Sequence, residues 1–254
     1  METEDNSAID VTHPRYESLM RRKRLVDGYK QGIVVSEGLI AHGRGEMFDY
    51  LLGETTLPVS LISERVAAAA LSIANRSVIS VNGNVAALCP EDVVNLSDII
   101  HATIEVNLFH WNEERASKIK QVLLGNGAKE VLSENPDKSL EGVHHDRGKC
   151  HSEGIFSADA VLIPLEDGDR TEALSKMGKV VISIDLNPLS RTSLAASISI
   201  VDELTRAIPN IIGFSKEFVG KPDEAKEMLK SYDNVLNLRA VYGSIAARFE
   251  KLSE

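Results

Sequence analysis

The chain has 254 residues, 43% of them hydrophobic and 26% charged; that balance supplies the core of a large α/β domain and excludes dominant disorder. Lys plus Arg number 28 against 38 Asp plus Glu, a net −10, which disfavours attraction to a nucleic-acid backbone. Two cysteines, Cys89 and Cys150, build no disulfide framework, and the longest apolar run, residues 66–73, is broken by Ser72 and falls far short of a bilayer core of about 30 Å, so a cytoplasmic protein with no membrane partner is expected.

Residues 1–12 are polar and acidic and read as a frayed end, followed by one α/β domain over 13–254, with N-terminal helices to residue 57 and a sheet-based core from 58 onward. Over 14–30 and 36–52, apolar residues recur at helical spacing (Leu19, Val26, Tyr29; Leu39, Ile40, Phe48, Leu51, Leu52), with Gly32 and Gly53 as stops. Between Arg15 and Lys30 six cations face two anions, a local +4 that leaves 22 cations against 36 anions elsewhere. A basic segment on an acidic protein suits small anions, although a solvated helix face would look the same. Pro58 opens a segment to residue 75 that is apolar nearly all round and predicts a buried helix.

From there short β-branched runs at 77–81, 103–108, 130–132, 160–165, 180–184 and 197–201 alternate with helical patterns. Strands separated by helices predict a doubly wound, Rossmann-like and mostly parallel sheet. Residues 133–152 read as one long loop and 223–252 as closing helices.

Such a sheet places chemistry beyond the carboxyl ends of its strands. Those ends are polar here: Asn82-Gly83-Asn84, Asn107 to Asn112, Glu166-Asp167-Gly168-Asp169, Asp185-Leu186-Asn187 with Arg191-Thr192, and Asp202-Glu203. Carboxylates at Asp185 and Asp202 suit ribose hydroxyls, and Arg191 and Thr192 suit phosphate oxygens. Asp169, Ser190 and Asp202 are equally good helix N-caps. In His42-Gly43-Arg44-Gly45-Glu46, glycines strip bulk from around a guanidinium whose planar fork fits phosphate. The segment is no dinucleotide fingerprint, because Phe48 stands where a small residue is required, and the chain has no Walker A sequence. His144, His145, Asp146, Cys150 and His151 offer zinc-type ligands without a recognised zinc spacing, and a polar loop closing over substrate is the competing reading. The Glu166-Asp167-Asp169 run suits Mg²⁺ better, since that ion prefers oxygen ligands shared with phosphates, although a run of solvated acids is the competing reading.

At these residues the chain resembles the archaeal phosphopantothenate synthetase family, the 4-phosphopantoate:beta-alanine ligases. The resemblance is carried by HPRYESL from His13, GLIAHGRGEMFDYLLGE from Gly38, SVNGNVAAL from Ser80, EGIFSADAVLIPLEDGDRTEAL from Glu153 and IDLNPLSRT from Ile184. It implies a Rossmann-like homodimer that uses ATP and Mg²⁺ to adenylate the carboxylate of 4-phosphopantoate before the amine of beta-alanine attacks. Carried over by motif, Arg22 and Arg44 would hold ATP phosphates, Asp185, Leu186, Asn187, Arg191 and Thr192 would contact the nucleotide, and Asp202-Glu203 would be a weaker contact. The charge load of two polyanions calls for neutralising cations, and Arg15 is a further candidate beside substrate. Beta-alanine must lose a proton before attack; Asp167, Asp169 or Glu166 is the candidate to hold its ammonium and His42 to take the proton, His42 being open also to a purely structural role. Asn82, Gly83 and Asn84 are candidate pantoate contacts. Another nucleotide-dependent enzyme, or an ATP-binding regulatory module, is the alternative on the same scaffold.

Overall fold

The computed structural model describes residues 9–252, apart from the side chains of His145 and Leu252. The frayed end expected over residues 1–12 therefore falls, for residues 1–8, outside the described residues. In chain order the elements are α1 (Tyr16–Lys30), α2 (Ser36–Leu52), α3 (Pro58–Ile73), β1 (Ser77–Val81), α4 (Gly83–Leu88), α5 (Pro90–Ile100), β2 (Thr103–Val106) and α6 (Glu113–Gly125). Then come β3 (Lys138–Ser139), β4 (Lys149–Cys150), β5 (Ala160–Pro164), α7 (Gly168–Lys176), β6 (Val180–Ile184), α8 (Arg191–Ala195), β7 (Ile198–Ile200), α9 (Leu204–Phe218), α10 (Pro222–Ser231) and α11 (Asn234–Leu252).

Five strands form a parallel sheet in the order β2-β1-β5-β6-β7. Their near-continuous Val and Ile content suits strands covered on both faces. Alternation then divides the core. Ile79, Val81, Leu162, Ile182 and Ile184 face one layer with residues of α3, α5 and α9, while Val78, Val161, Ile163 and Val181 face the other with α7 and the β3–β4 segment. Ala67, Ala68, Ala69 and Ala70 make α3 slim enough to lie against both α9 and the sheet, and all four are buried. Leu25, Ile33 and Val34 of the N-terminal helices belong to the same central core.

Two expectations need correction. Residues 130–132 form no strand; Leu132 makes a single parallel bridge to Glu105. Nor is 133–152 an open loop, since β3 and β4 pair antiparallel and Leu140, Val143 and Cys150 are buried in the second layer. Two-residue strands have no periodicity to detect, and their anchor is remote in sequence. The fully buried Glu105 carboxylate on β2 accepts hydrogen bonds from the backbone N–H groups of His151 (3.2 Å) and Ile155 (2.6 Å).

The chain runs from β1 to β2 at one edge and later returns to place β5 on the other side of β1, so the carboxyl ends of β1 and β5 mark the topological switch where such sheets bind ligands. Asn82 stitches the two ends together. Its side-chain oxygen accepts from the N–H groups of Asn84 (3.0 Å) and Val85 (3.2 Å), and its amide donates to the carbonyls of Pro164 (3.2 Å) and Leu165 (3.1 Å). Gly83 follows because the α1–α2 connection presses on it. A β-carbon there would overlap the Ile33 carbonyl oxygen and sit 2.9 Å from its carbon. Gly83→Ala is expected to destabilise the protein by about 3 kcal/mol, read as a lowered urea midpoint; an unchanged midpoint would show that the α1–α2 connection yields freely.

Candidate functional site

Helix α2 lies across the carboxyl edge of the sheet. At its start the Gly38 carbonyl accepts from the Asn84 amide (2.9 Å), in its middle Gly45 passes over Leu186 with 3.6 Å from a notional β-carbon to Cδ1, and near its end Asp49 meets Arg206 of α9. This path brings the His42–Glu46 segment to the strand exits. Gly53 ends the helix in a left-handed conformation (φ 94°) that glycine adopts at little cost.

The two arginines singled out from the sequence occupy different flanks of α2. Arg22 reaches from α1 to Glu46, with Nε at 3.0 Å and Nη2 at 2.8 Å from its two carboxylate oxygens. Arg15 joins the same carboxylate at 3.4 Å, bonds the Tyr50 hydroxyl and lies 5.1 Å over the Tyr50 ring. Arg44 stands two residues before Glu46 and therefore points to another side of the helix. It is exposed, and the charge it acts on is Asp185. A β-carbon at Gly43 would meet nothing within 4 Å, so open space adjoins Arg44. His42 is half-buried, and its Nε2 has no hydrogen-bond partner. Burial, with the nearby Arg21 and Arg22, pulls its pKa below the ordinary 6.5 despite Glu46, which leaves a neutral imidazole at pH 7.

Past β6, Asp185 accepts from the Asn187 N–H (2.9 Å) and the Ser190 hydroxyl (2.5 Å), while burial raises its pKa against those bonds and Arg44. Leu186 is a core residue, packed with Leu52 and Val201, so its side chain is withheld from any ligand. Asn187 shapes the turn by accepting from Leu189 N–H (2.9 Å). Thr192 is buried and donates to the Glu166 carbonyl (2.9 Å), which ties the start of α8 to the β5 exit. Arg191 stays exposed and pairs with Asp169 (2.9 Å) and Glu172 (2.8 Å). At the β5 exit Asp167 caps α7 through Oδ1, and its Oδ2 is buried without a partner. Next to it, burial pushes the Glu166 carboxyl upward against the pull of Arg170.

Asp202 and Glu203, at the β7 exit, are both buried in a charge network. Arg206 spans Asp202 (2.7 Å) and Asp49 (2.6 Å), and Arg21 lies 3.5 Å from Asp49 and 3.8 Å from Glu203. Thr56 also donates to Asp202 (2.6 Å), and Glu203 caps α9. Beneath them the fully buried Glu64 has its pKa raised to about 9 by burial and by Asp202, its sole bonded oxygen accepting from Asn210 (2.9 Å). Arg206, Asp49 and Glu64 carried no signal in the sequence, because each is an ordinary helix residue until the fold brings them together. Asn82 and Asn84 likewise have their amides engaged in the scaffold.

Among the described residues no group of three His, Cys, Asp or Glu side chains is arranged to hold a metal. His151 lies 3.5 Å from Glu105, which raises its pKa, and its Nε2 meets the Glu134 carbonyl (3.0 Å). Burial pushes the Cys150 thiol up to about 12. The side chain of His145 lies outside the described residues.

The sequence pattern of the phosphopantothenate/pantothenate synthetase family matches residues 59–248. The chain is 52% identical over 246 residues to a 4-phosphopantoate--beta-alanine ligase of Methanosarcina mazei, covering 96% of this chain and 97% of that one. It is 45% identical to the protein of the same name from Thermococcus kodakarensis, over 97% and 95% of the two chains. A third, from Methanospirillum hungatei, is 52% identical over 82% of this chain and 85% of its own.

The buried network sets a pH response. Glu64 has a folded-state pKa above its ordinary 4.5, so its contribution to stability is complete below pH 4.5 and is lost progressively as the pH rises toward 9. Glu64→Gln should flatten the urea midpoint between pH 5 and 9, and an unaltered slope would show that Glu64 is not the group responsible. Arg206→Met, which strands Asp49 and Asp202, should cost about 3 to 5 kcal/mol at pH 7 in the same measurement.

Proposed function

Because the chain belongs to the phosphopantothenate/pantothenate synthetase family, we propose that it is an ATP-dependent, AMP-forming ligase that joins 4-phosphopantoate to beta-alanine to make 4-phosphopantothenate for coenzyme A synthesis. The carboxylate oxygen of 4-phosphopantoate attacks the α-phosphorus of ATP, the bond to the β-phosphate breaks and pyrophosphate leaves. The amine of beta-alanine then attacks the acyl carbon, AMP departs, and one proton is released. The observation that carries this reading is α2 crossing the strand ends with Arg44 exposed, open space at Gly43 and the Asp185 carboxylate within its electrostatic reach.

In this reading the nucleotide lies at the β6 exit. Asp185 takes the ribose, the backbone of Leu186 and Asn187 lines it, Arg191 and Thr192 stand at the start of α8, and Arg44 binds the triphosphate. Arg22 and Arg15 form a second bank of cations, held ready by Glu46 and released from it when phosphate oxygens arrive. The Asp202 and Glu203 side chains fix α2 from below, and their turn is a weaker contact to ATP. Adenylation is chiefly positioning and charge neutralisation, so no side-chain nucleophile is required. The unpartnered Oδ2 of Asp167 receives the ammonium of beta-alanine, and the neutral His42 takes its proton. Mg²⁺ would neutralise phosphate charge and orient the leaving pyrophosphate; Glu166, a carboxylate whose pKa burial has raised and which a nearby cation would return to its charged form, is the protein ligand that fits it.

We also propose that the chain forms a homodimer, as the family likeness implies. Among the described residues no helix is long and apolar enough to cross a membrane, and we propose the cytoplasm, where ATP-consuming biosynthesis runs, as its location.

The test is pyrophosphate release that requires 4-phosphopantoate, with amide appearing only on addition of beta-alanine; release without 4-phosphopantoate, or no amide, overturns the assignment. Arg44→Ala should lower kcat/KM for ATP by at least about tenfold, or 1.4 kcal/mol, with the fold intact. Gly43→Ala separates packing from ligand approach. In a helix interior with free space it should stabilise the protein by up to about 1 kcal/mol while impairing ATP use. Activity should also fall at acid pH as His42 becomes protonated, with an apparent pKa below 6.5, and His42→Asn should abolish that limb.

A further inference from the structure

We propose that Arg147, at the turn of the β3–β4 hairpin, grips the phosphoryl group of the phosphorylated hydroxy acid, with Arg191 as the second cation. This rests on the ligase reading and names the part of the site that distinguishes a phosphorylated acid from a free one. The substrate is anionic at both ends. Its carboxylate must meet the α-phosphorus near Arg44 and the β6 exit, so its phosphoryl group, at the far end of a four-carbon chain, needs cations elsewhere on the rim.

The hairpin supplies one from a fixed position. The Arg147 carbonyl accepts from the guanidinium of Arg170, which is 1% exposed and also donates to Asn107 Oδ1 at 2.5 Å. With Glu105 anchoring His151 and Ile155, the hairpin is tied to the β2 and β5 exits. The Arg147 side chain lies against those exits, its guanidinium 4.8 Å over the half-exposed Phe109 ring and its Nη1 2.9 Å from Asp169 Oδ2. Asp169 Oδ1 holds Arg191 at 2.9 Å. Two guanidinium groups from different elements thus meet on one carboxylate, although their backbones are 44 residues apart. Among the described residues Arg147 makes no other ion pair, and its side chain is 27% exposed.

A carboxylate offers two oxygens and one charge to this pair. A phosphoryl group offers three oxygens and up to two charges, and planar forks bind it in bidentate fashion. It therefore displaces Asp169 as the shared partner, while Phe109 keeps the Arg147 guanidinium oriented. Arg22 belongs to the cation bank on the α1 side of α2, assigned above to ATP, and Arg206 is committed to Asp49 and Asp202.

Steady-state kinetics of the full-length protein with 4-phosphopantoate and with pantoate, for wild type, Arg147→Ala and Arg147→Lys, provide the test. Arg147→Ala should lower kcat/KM for 4-phosphopantoate by thirtyfold or more, mainly through KM, while the KM for ATP stays within twofold. The preference for 4-phosphopantoate over pantoate should shrink by the same factor, and Arg147→Lys should fall between, since a point charge cannot reproduce the fork. Equal losses on both acids would mean that Arg147 only supports the hairpin, and wild-type kinetics in the folded Ala variant would likewise overturn the proposal. If the wild type forms no amide, the ligase reading fails by itself. The grip is then judged by calorimetric binding of 4-phosphopantoate, where equal affinity for wild type and Arg147→Ala, or none for either, sinks it.

Discussion

Arg206 stands between Asp49 on α2 and Asp202 at the β7 exit, and the position of α2 depends on that bridge. Two carboxylates, each nearly inaccessible to water, would repel each other and resist burial without it. The guanidinium reverses both effects, because each of its contacts is short, charge-assisted and removed from solvent, where attraction is strongest. Arg21 extends the bridge to Glu203, and Glu64, kept protonated by burial and by Asp202, adds no further negative charge. The result is a helix clamped across the carboxyl edge of a parallel sheet.

That clamp explains the division of charge in an acidic protein. Arginines that hold the scaffold, such as Arg21, Arg170 and Arg206, are largely or fully buried, whereas Arg15, Arg22, Arg44, Arg147 and Arg191 remain partly open to solvent around the rim. Four of these five are paired with carboxylates. Pairs this exposed contribute little to stability, but they orient each guanidinium before an anion arrives and lessen the ordering it must undergo. In the proposed reaction the α2 side serves the nucleotide and the hairpin side serves the phosphorylated acid.

The sheet was legible because its strands are β-branched runs separated by helical patterns, and Ser77–Val81 and Val180–Ile184 have the bounds read from sequence. Helix α2 was equally clear from its apolar spacing, and it too has the expected bounds. Residues 130–152 were not legible. Their order comes from the side chain of Glu105 and from the guanidinium of Arg170, groups that bind backbone atoms 23 or more residues away. Local periodicity holds no record of such bonds.

Among the candidate residues the same line separates what was legible from what was not. The polar character of the strand ends follows from residue types alone, and parallel pairing assigns them to one rim. Which of them face outward depends on partners distant in the chain. Leu186 is taken by the core and Asp202 by Arg206, and the amide of Asn82 is engaged by the β5 exit, whereas Asp167 retains an unpartnered oxygen. The amino-acid sequence by itself determined the parallel α/β sheet, the bounds of α2 and the store of cations, since these rest on propensity and local spacing. Only the tertiary structure decided which carboxylate each arginine meets, because a charge chooses its partner by distance and burial, and both exist only once the chain has folded.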